Sequence, residues 1–557
     1  MADPLRGLGV GPGLAAGIVL PMGAPPELPP PRPVTDPGRE LDAALAALES
    51  VRADLAGRAA AAPGKAARDV LEAQAAIAAD PMLETDLGVR TQRGEDAAHA
   101  LHGTFDEYRR VLLDAGDHLA ERAADLADIA DRAVAAALGR PMPGVPAPGH
   151  PFILAAGDLS PADTATLDPS TVLALVTERG GPTSHTAILA RALGLPAVVG
   201  CAGLLDAVAP GALGTVDGTT GEVRIGVGAD EADAFRGRAA ALRARPGRGP
   251  AGPGRTADGH PVDLMLNIGS AADLDGVDLT GVAGVGLFRT ELLFLERREE
   301  PGLDQQVRAY REVFDAVGER VVVVRTLDAG ADKPLPFLGL PEEPNPALGV
   351  RGFRTVRLRP EVLETQLEAI VLAAEGTAAR VAVMAPMIST PGEAADFAGR
   401  AARHGLPGAG VMVEVPAAAL SAAALLRVAG FLSIGTNDLG QYALAADRQG
   451  GDLPDLLDPW QPALLRLIAM CTRAGLAAGK SVGVCGEAAG DPLLAPVLAG
   501  LGVGRLSMSA RSMPPVRDAL ARHDLAGCER LAGRALAAAS AEEARTAAAA
   551  GATVREG

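Results

Sequence analysis

The spacing of hydrophobic residues along the 557-residue chain changes near residues 35, 140 and 260. From Thr35 onward, apolar residues recur at helical intervals, and Asp36 followed by Pro37 is typical of a helix start. The same spacing predicts helices over 66–79 and 95–138. We therefore expect an all-α region at residues 31–145.

The sequence on either side of this helical region has the pattern of short buried strands. The runs "GIVLPMG", "FILAA", "TVLALV" and "PAVVG" predict strands, and "TVDGTTGEVRIG" predicts a hairpin. These runs predict one α/β domain built from residues 1–30 and 146–226, into which the helical region is inserted. A charged helical stretch and a Pro/Gly-rich stretch then predict a linker helix and connector at residues 227–257.

Beyond residue 260, eight short strand-like runs alternate with mostly helical segments. The runs are "VDLMLNIG", "GVGLFRTE", "VVVVRTLD", "VAVMAPMI", "GVMVEVP", "FLSIGTND", "SVGVCGE" and "RLSMSA". Polar or reactive residues follow all but the fourth, namely Asn267, Arg289, Arg325, Glu414, Asn437 with Asp438, Cys485 and Ser509. This arrangement predicts a (β/α)8 barrel of the TIM type at residues 258–540, with functional groups at the carboxyl ends of its strands. The whole chain is thus predicted to be a multidomain α/β protein.

Composition narrows the classes of partner. A net charge of −18 argues against binding to nucleic acid or to an anionic membrane surface, and no apolar run is long enough to span a bilayer. Four cysteines in a chain of this length do not form a disulfide framework, which is typical of a cytoplasmic protein. Residues 34–140 contain 20 acidic and 12 basic side chains. That region is either a docking surface for a basic protein or a set of ordinary solvated helix faces.

The strand-end residues of the predicted barrel indicate an anionic substrate. Arg289, Arg325 and Arg448 suit carboxylate and phosphate groups, and Lys333 adds a further positive charge. The carboxylates of Glu414 and Asp438 suit Mg²⁺, which shares its coordination shell with water and substrate oxygens. Together these residues predict a small substrate that has both a phosphate and a carboxylate.

Two further residues have reactive side chains, and each also has a structural interpretation. Cys485 follows a strand and can donate a proton as a thiol of ordinary pKa, or it can be an inert buried cysteine. His185, in "GGPTSHTA", is predicted in the first turn of a helix capped by Thr183 or Ser184. There the helix dipole favours a neutral imidazole that can attack phosphorus. The alternative is a histidine that only forms local hydrogen bonds at a capped helix start.

The motifs taken together resemble one family. "GGPTSHTAILARALGLPAVVG", "GVGLFRTELLF", "VRTLDAGADK", "NPALGVRGFR", "VMVEVPAAA", "IGTNDLGQY", "CGEAAGDP" and "SMSARSMPPVR" are similar to Enzyme I, the phosphoenolpyruvate–protein phosphotransferases of bacterial sugar transport. The resemblance covers nearly the whole chain. The chain differs from the family at two places. Near the N-terminus, Gly11-Pro12-Gly13 stands in place of Ser-Pro-Gly, and the connector is unusually rich in Pro, Gly and Arg.

The resemblance implies a role for each candidate residue. His185 would accept the phosphoryl group of phosphoenolpyruvate and pass it to the carrier protein HPr, and Cys485 would protonate the enolate to give pyruvate. Mg²⁺ would bind Glu414 and Asp438. Phosphoenolpyruvate would bind a set of barrel residues, Arg289, Arg325, Asn437 and Arg448, with Arg351 near the phosphate. The helical region would dock HPr, and the barrel would form a homodimer.

Three other functions would account for part of this sequence. A pyruvate phosphate dikinase or phosphoenolpyruvate synthase shares the histidine domain and the barrel, but needs a nucleotide-binding domain for which this chain has no room. A Mg²⁺-dependent lyase acting on pyruvate or oxaloacetate would leave "GGPTSHTA" and the acidic helices without a role. A non-catalytic regulatory paralogue is disfavoured by the intact set of barrel residues.

Overall fold

The fold is described by a computed structural model, whose described residues are 4–11, 13–23, 26–61, 65–114, 120–146, 148–159, 167–181, 185–244, 252–294, 299–330, 335–341, 343–447, 453 and 455–552. The chain divides into two compact units, residues 1–244 together with 449–454, and residues 245–448 together with 455–557. Each unit has its own hydrophobic core, so each is described by itself.

The first unit contains a mixed eight-stranded sheet. Its strands are β1 (Leu5–Arg6), β2 (Leu8–Gly11), β3 (Leu14–Pro21), β4 (Phe152–Ala156), β5 (Val172–Thr177), β6 (Ala197–Val199), β7 (Leu213–Asp217) and β8 (Glu222–Ile225). Their order across the sheet is β1-β8-β7-β3-β4-β5-β6-β2. The strands of the N-terminal segment thus pair with strands that follow the helical region, as when β3 pairs with β4 and β7. The predicted hairpin is confirmed as the antiparallel pair β7–β8.

Five long helices are described in the helical region of this unit. They are α1 (Pro37–Ala61), α2 (Lys65–Ala78), α3 (Pro81–Gln92), α4 (Ala97–Asp114) and α5 (Ala120–Ala137). The predicted start of α1 is confirmed, because Asp36 Oδ1 accepts hydrogen bonds from the backbone N–H groups of Gly38 and Arg39. The apolar residues that recur at helical spacing face a shared core, in which Val51 and Leu55 are fully buried.

Among the described residues, three further helices lie between or after the strands of the first unit: α6 (His185–Leu193), α7 (Leu204–Ala207) and α8 (Ala229–Ala244). Helix α8 is the charged helix predicted as part of the linker, and it packs against β3 and β7 of the sheet. The domain boundaries drawn from the sequence stay predictions.

The second unit contains a closed barrel of eight parallel strands. They are β9 (Asp263–Ile268), β10 (Gly284–Arg289), β11 (Val321–Arg325), β12 (Arg380–Ala385), β13 (Gly410–Val413), β14 (Leu432–Ile434), β15 (Val482–Val484) and β16 (Arg505–Met508). Each strand pairs with its successor, and β16 closes the barrel on β9. Every predicted strand is present in order, so the predicted fold class is confirmed.

Helices separate and follow the barrel strands. They are α9 (Glu291–Phe294), α10 (Leu303–Val317), α11 (Pro360–Ala374), α12 (Pro391–Arg403), α13 (Pro416–Leu420), α14 (Ala422–Leu425), α15 (Thr436–Leu444), α16 (Pro462–Ala478), α17 (Leu494–Gly500), α18 (Met513–Ala521), α19 (Leu525–Ala537) and α20 (Ala541–Ala552). Among the described residues, no helix is both long enough and apolar enough to cross a membrane.

Alternation along the barrel strands decides which side chains face the barrel axis. In β11, Val322 and Val324 belong to the core between strands and helices, whereas Val323 belongs to a separate cluster. That cluster also contains Leu287, Met384, Met412 and Cys485, one residue from each of four other strands or strand ends. Side chains along a strand alternate with a period of two. The residues two positions beyond this inner cluster therefore also face the barrel axis, and they lie at the carboxyl ends of the strands.

The C-terminal helix α20 is joined to the segment before α16 by a buried ion pair. Arg545 donates two hydrogen bonds of 3.0 Å to the carboxylate of Asp458, which also accepts from the backbone N–H of Trp460. The Trp460 ring is fully buried beneath the Arg545 guanidinium, and its indole N–H donates to Asp491 at 2.9 Å. These contacts hold α20 to the barrel.

We predict that Arg545→Ala lowers the free energy of unfolding by about 2–3 kcal/mol, because it leaves the buried Asp458 carboxylate without its cation. Trp460 is the one tryptophan of the chain, so its fluorescence during urea denaturation reports on this unit. The control is Arg530→Ala, which removes a well-exposed arginine and should change stability by less than about 0.5 kcal/mol. Equal effects of the two substitutions would contradict a stabilising role for the ion pair.

Candidate functional site

The inner alternation of the barrel places four predicted residues at one end of it. Arg289 and Arg325 are the last residues of β10 and β11, two positions beyond the inner residues Leu287 and Val323. Glu414 directly follows β13, two positions beyond Met412, and Cys485 is itself a member of the inner cluster. The strand order of the barrel therefore brings these side chains to the same rim.

A fully buried ion pair lies beside these strand ends. Arg351 and Asp328 are both completely buried, and the guanidinium donates from Nε and Nη2 to the two carboxylate oxygens, each at 3.0 Å. Arg351 Nη1 lies 3.0 Å from Oδ1 of Asp438, near the start of α15. This fork geometry fixes the guanidinium plane between the two carboxylates. Arg351, which the resemblance implies near the phosphate, is thus joined directly to Asp438.

Arg325 is held by carboxylates on two sides. Its Nη2 donates to Glu291 at 2.9 Å, and its Nη1 lies 3.3 Å from Asp328. Burial by itself lowers the pKa of Arg325, but the charges of Glu291, Asp328 and Glu414 outweigh this effect and raise the pKa. Arg325 therefore stays positive. Arg289, in contrast, is exposed and makes no ion pair with any described residue, which leaves it available to an anion.

Glu414 is a buried carboxylate that lacks a full set of partners. Oε1 accepts a hydrogen bond of 2.6 Å from the backbone N–H of Met387, whereas Oε2 is buried without a hydrogen-bond partner among the described residues. Burial raises the pKa of Glu414, and the neighbouring charges of Asp328 and Asp438 raise it further. Such a group is stabilised by a cation that approaches the unpartnered oxygen.

The charges around Glu414 fit a divalent cation. Three buried carboxyl groups, Asp328, Glu414 and Asp438, stand beside two buried guanidinium groups, and the raised pKa of Glu414 means that its negative charge is unfavourable here until a further cation balances it. The described residues contain no cluster of three or more His, Cys, Asp or Glu side chains suited to a metal. Two carboxylates are nevertheless enough for Mg²⁺, because it keeps several water or substrate ligands. Glu414 and Asp438 fit the predicted Mg²⁺ site.

Cys485 directly follows β15, is buried, and supplies the thiol group of the candidate site. Its Sγ donates to the carbonyl of Ile434 at 3.5 Å, and its own carbonyl accepts a hydrogen bond of 3.0 Å from Asn267. Burial raises the pKa of Cys485 to about 11, although a hydrogen bond with Ser433 and the charges of Arg325 and Arg289 lower it. The thiol is therefore protonated at neutral pH, as a proton donor must be.

The start of α15, which follows β14, is in close contact with the segment that follows β15. Asn437 Oδ1 accepts a hydrogen bond of 3.1 Å from the backbone N–H of Glu487. A Cβ atom on Gly486 would lie 1.9 Å from Thr436 Oγ1, so only glycine fits at this position. Gly486 therefore allows the segment after Cys485 to contact the first turn of α15, which contains Asn437 and Asp438.

Three predicted residues cannot be placed in this way. They are Lys333, Arg448 and His185. Lys333 and Arg448 lie outside the described residues, and so do Thr183 and Ser184, the candidate caps of the helix that begins at His185. His185 is the first residue of α6, as predicted, and the backbone is all that is described for it. The next residue, Thr186, is buried, and its hydroxyl has no hydrogen-bond partner among the described residues.

Sequence reasoning did not assign a role to three groups that the structure places in this cluster. Asp328 stands three residues beyond Arg325 in the same strand-end run and pairs with both buried arginines. Glu291 stands two residues beyond Arg289 and binds Arg325 and the backbone N–H of Asp328. Both lie directly after strand ends, a signal available in the sequence. The backbone N–H of Met387 could not be identified from the sequence, because the presence of a backbone N–H does not depend on the side chain.

Comparison with known proteins gives the family. Three family profiles match: PEP-utilising enzyme, N-terminal (residues 6–122); PEP-utilising enzyme, mobile domain (148–221); and PEP-utilising enzyme, PEP-binding domain (244–525). A phosphoenolpyruvate-protein phosphotransferase of Streptomyces coelicolor is 52% identical over 98% of this chain and 99% of its own length. The chain belongs to the phosphoenolpyruvate-protein phosphotransferases.

Other phosphoenolpyruvate-protein phosphotransferases are similar over most of their length. The protein of Haloferax volcanii is 40% identical over 84% of both chains, and that of Lactococcus lactis is 36% identical over 89% of both. The PEP-binding profile covers the whole barrel cluster, and the mobile-domain profile covers His185. The resemblance stated from the motifs is confirmed.

We predict that Cys485 reacts very slowly with iodoacetamide in the native protein. With a pKa of about 11, about 0.1% of the thiol is ionised at pH 8, against about a quarter of a thiol with an ordinary pKa of about 8.5. Since burial also limits access, alkylation should be at least about 100-fold slower than in the unfolded chain. Mass spectrometry of the Cys485 peptide measures the rate. Fast alkylation in native buffer would contradict a protonated thiol.

Proposed function

We propose that the chain transfers the phosphoryl group of phosphoenolpyruvate to His185 and then to the histidine of the carrier protein HPr, and releases pyruvate. This reaction is the first step of sugar uptake by the phosphotransferase system. The single observation that supports it most strongly is the cluster at the barrel rim. Anion-binding arginines, two carboxylates suited to Mg²⁺ and a protonated thiol meet there in a chain that also has His185 at a helix start.

Binding of phosphoenolpyruvate is assigned to the cationic and amide groups of the rim. Arg289 is exposed and unpaired among the described residues, and Arg325 keeps its charge between Glu291 and Asp328. These guanidinium groups, with Asn437, Lys333 and Arg448, would bind the phosphate and carboxylate of the substrate. Glu414 and Asp438 would hold Mg²⁺, which when bound neutralises negative charge on the substrate oxygens.

The bond changes follow from the protonation states. The neutral imidazole of His185 attacks phosphorus, so an N–P bond forms as the bond between phosphorus and the enol oxygen breaks. The enolate that leaves takes a proton at carbon from the Cys485 thiol and becomes pyruvate. Water then returns a proton to the thiolate, whose raised pKa favours its protonation.

Partners and assembly are proposed on the same basis. We assign the helices at residues 31–145 to docking of HPr, since residues 34–140 have eight more acidic than basic side chains. We assign the barrel to homodimerisation, as in the family. All four cysteines are free and buried, which suits a protein of the cytoplasm.

The proposed phosphorylation of His185 leads to a prediction about labelling. Radiolabelled phosphoenolpyruvate with Mg²⁺, in the absence of ATP, should label the protein with phosphate that is labile in acid and stable in base. His185→Ala should abolish the label because it removes the attacking imidazole. The matched control His150→Ala alters an exposed histidine and should label normally. Labelling that survives His185→Ala, or that depends on ATP, would contradict the proposed reaction.

The proposed Mg²⁺ site leads to a prediction about the Mg²⁺ concentration that labelling requires. Glu414→Gln replaces the unpartnered carboxylate oxygen by a neutral amide, so the Mg²⁺ concentration for half-maximal labelling should rise about tenfold or more. Titration of labelling against Mg²⁺ measures this. The control Glu529→Gln, at an exposed position of α19, should leave the Mg²⁺ requirement unchanged. An unchanged requirement in Glu414→Gln would remove Glu414 from the metal site.

A further inference from the structure

A buried polar network lies behind the strand ends that hold the two site arginines. Gln366, on α11, is completely buried, and its Oε1 accepts a hydrogen bond of 2.9 Å from the backbone N–H of Leu327. Its Nε2 donates to the hydroxyl of Thr290 at 3.2 Å and to that of Tyr310 at 2.9 Å. Thr290 in turn donates to the carbonyl of Arg325 at 3.0 Å. One side-chain amide therefore joins the ends of β10 and β11.

The direction of every hydrogen bond in this network is determined. Tyr310 donates to Gln306 Oε1 at 3.3 Å, and Gln306 Nε2 donates to the carbonyl of Pro301 at 2.9 Å. Because Thr290 and Tyr310 each use their proton elsewhere, both must accept from Gln366 Nε2. The N–H of Leu327 can only donate, so it must face Gln366 Oε1. The amide of Gln366 thus has one orientation, and a rotated amide would leave buried groups unsatisfied.

Gln366 is the one polar residue among the buried residues of α11, and the others are all apolar, including Leu363, Leu367 and Ile370. An apolar side chain of similar volume at 366 would add hydrophobic burial, but it would leave the buried N–H of Leu327 without an acceptor. The glutamine therefore stabilises the fold by satisfying this N–H. What the amide adds is a fixed position for the backbone atoms that it binds. One of these atoms is the backbone N of Leu327, which precedes Asp328. The other is the carbonyl of Arg325, which Gln366 reaches through Thr290, and Thr290 directly follows Arg289.

We propose that Gln366 is a positioning residue for phosphoenolpyruvate binding. It sets the spacing of the β10 and β11 ends, and so the placement of Arg289, Arg325 and the Asp328 carboxylate that pairs with Arg351. Gln366 lies outside the substrate cluster and acts through the backbone and Thr290. The proposal rests on the proposed function, since it assigns those arginines to the substrate.

The test is the split between KM and kcat. In Gln366→Met, an isosteric change that removes all three hydrogen bonds, the KM for phosphoenolpyruvate should rise about tenfold while kcat falls less than about threefold, because the arginines bind ground state and transition state alike. A residue that only stabilises the fold would instead lower the folded fraction. That would reduce apparent kcat and leave KM unchanged. Pyruvate release with HPr and saturating Mg²⁺ gives both constants.

Two further variants separate positioning from stability. Tyr310→Phe removes two buried hydrogen bonds on the far side of the same network, those with Gln366 and Gln306, but leaves the links of Gln366 to Leu327 and Thr290. KM should therefore stay within about twofold of the unmodified protein. Thr290→Val cuts the link to Arg325 and should raise KM as Gln366→Met does. It also serves if Gln366→Met does not fold. Melting temperatures by circular dichroism show that the compared variants are folded.

The outcomes are distinct. A raised KM in Gln366→Met or Thr290→Val, with a normal KM in Tyr310→Phe, supports the proposal. An unchanged KM in folded Gln366→Met and Thr290→Val, or an equal rise in Tyr310→Phe, overturns it and leaves the proposed function intact. If the unmodified protein neither binds phosphoenolpyruvate by titration calorimetry nor is phosphorylated by it, the proposed function fails and this inference fails with it.

Discussion

The buried ion pair between Arg351 and Asp328 is the interaction on which the arrangement of the barrel rim depends. Two fully buried charges are tolerated only when each is paired and hydrogen-bonded, and here the same carboxylate also faces Arg325 while the same guanidinium also faces Asp438. Loss of either partner would leave a charge unpaired in a low-dielectric interior. The pair therefore joins two parts of the segment that follows β11 and, through Asp438, connects this segment to the start of α15 after β14.

Backbone geometry allows this pair to form. Gly352, directly after Arg351, has a φ of +58°, and a Cβ atom there would lie 2.9 Å from Met387 Cγ. The close approach brings the Arg351 loop against Met387, whose own φ is 59° and whose N–H binds Glu414. A non-glycine residue with positive φ is strained, and such strain persists where surrounding contacts hold the backbone. Arg351 and Glu414 are thus positioned by the same contact between loops.

Much of the fold and part of the site could be predicted from the sequence, for a physical reason. A continuous apolar run such as "VVVVRTLD", ended by polar residues, predicts a buried parallel strand and places Arg325 at its carboxyl end. Four valines in a row do not show which side of the strand faces the barrel axis, so the side on which Arg325 lies came from the structure. The pairing of Asp328 with Arg351 could not be predicted in this way, because the loop that brings Arg351 back depends on Gly352 and Met387. The network around Gln366 was missed for the opposite reason, since a glutamine within a helical pattern normally predicts a solvent-facing position.

In the proposed reaction the phosphoryl group stays on the protein until HPr accepts it. The most direct test is the time course of pyruvate release when enzyme at micromolar concentration is mixed with phosphoenolpyruvate and Mg²⁺ without HPr or ATP. We expect a burst of about one pyruvate per chain that then stops, and steady release once HPr is added. Continuous pyruvate formation without a carrier, or no burst until ATP is supplied, would contradict it.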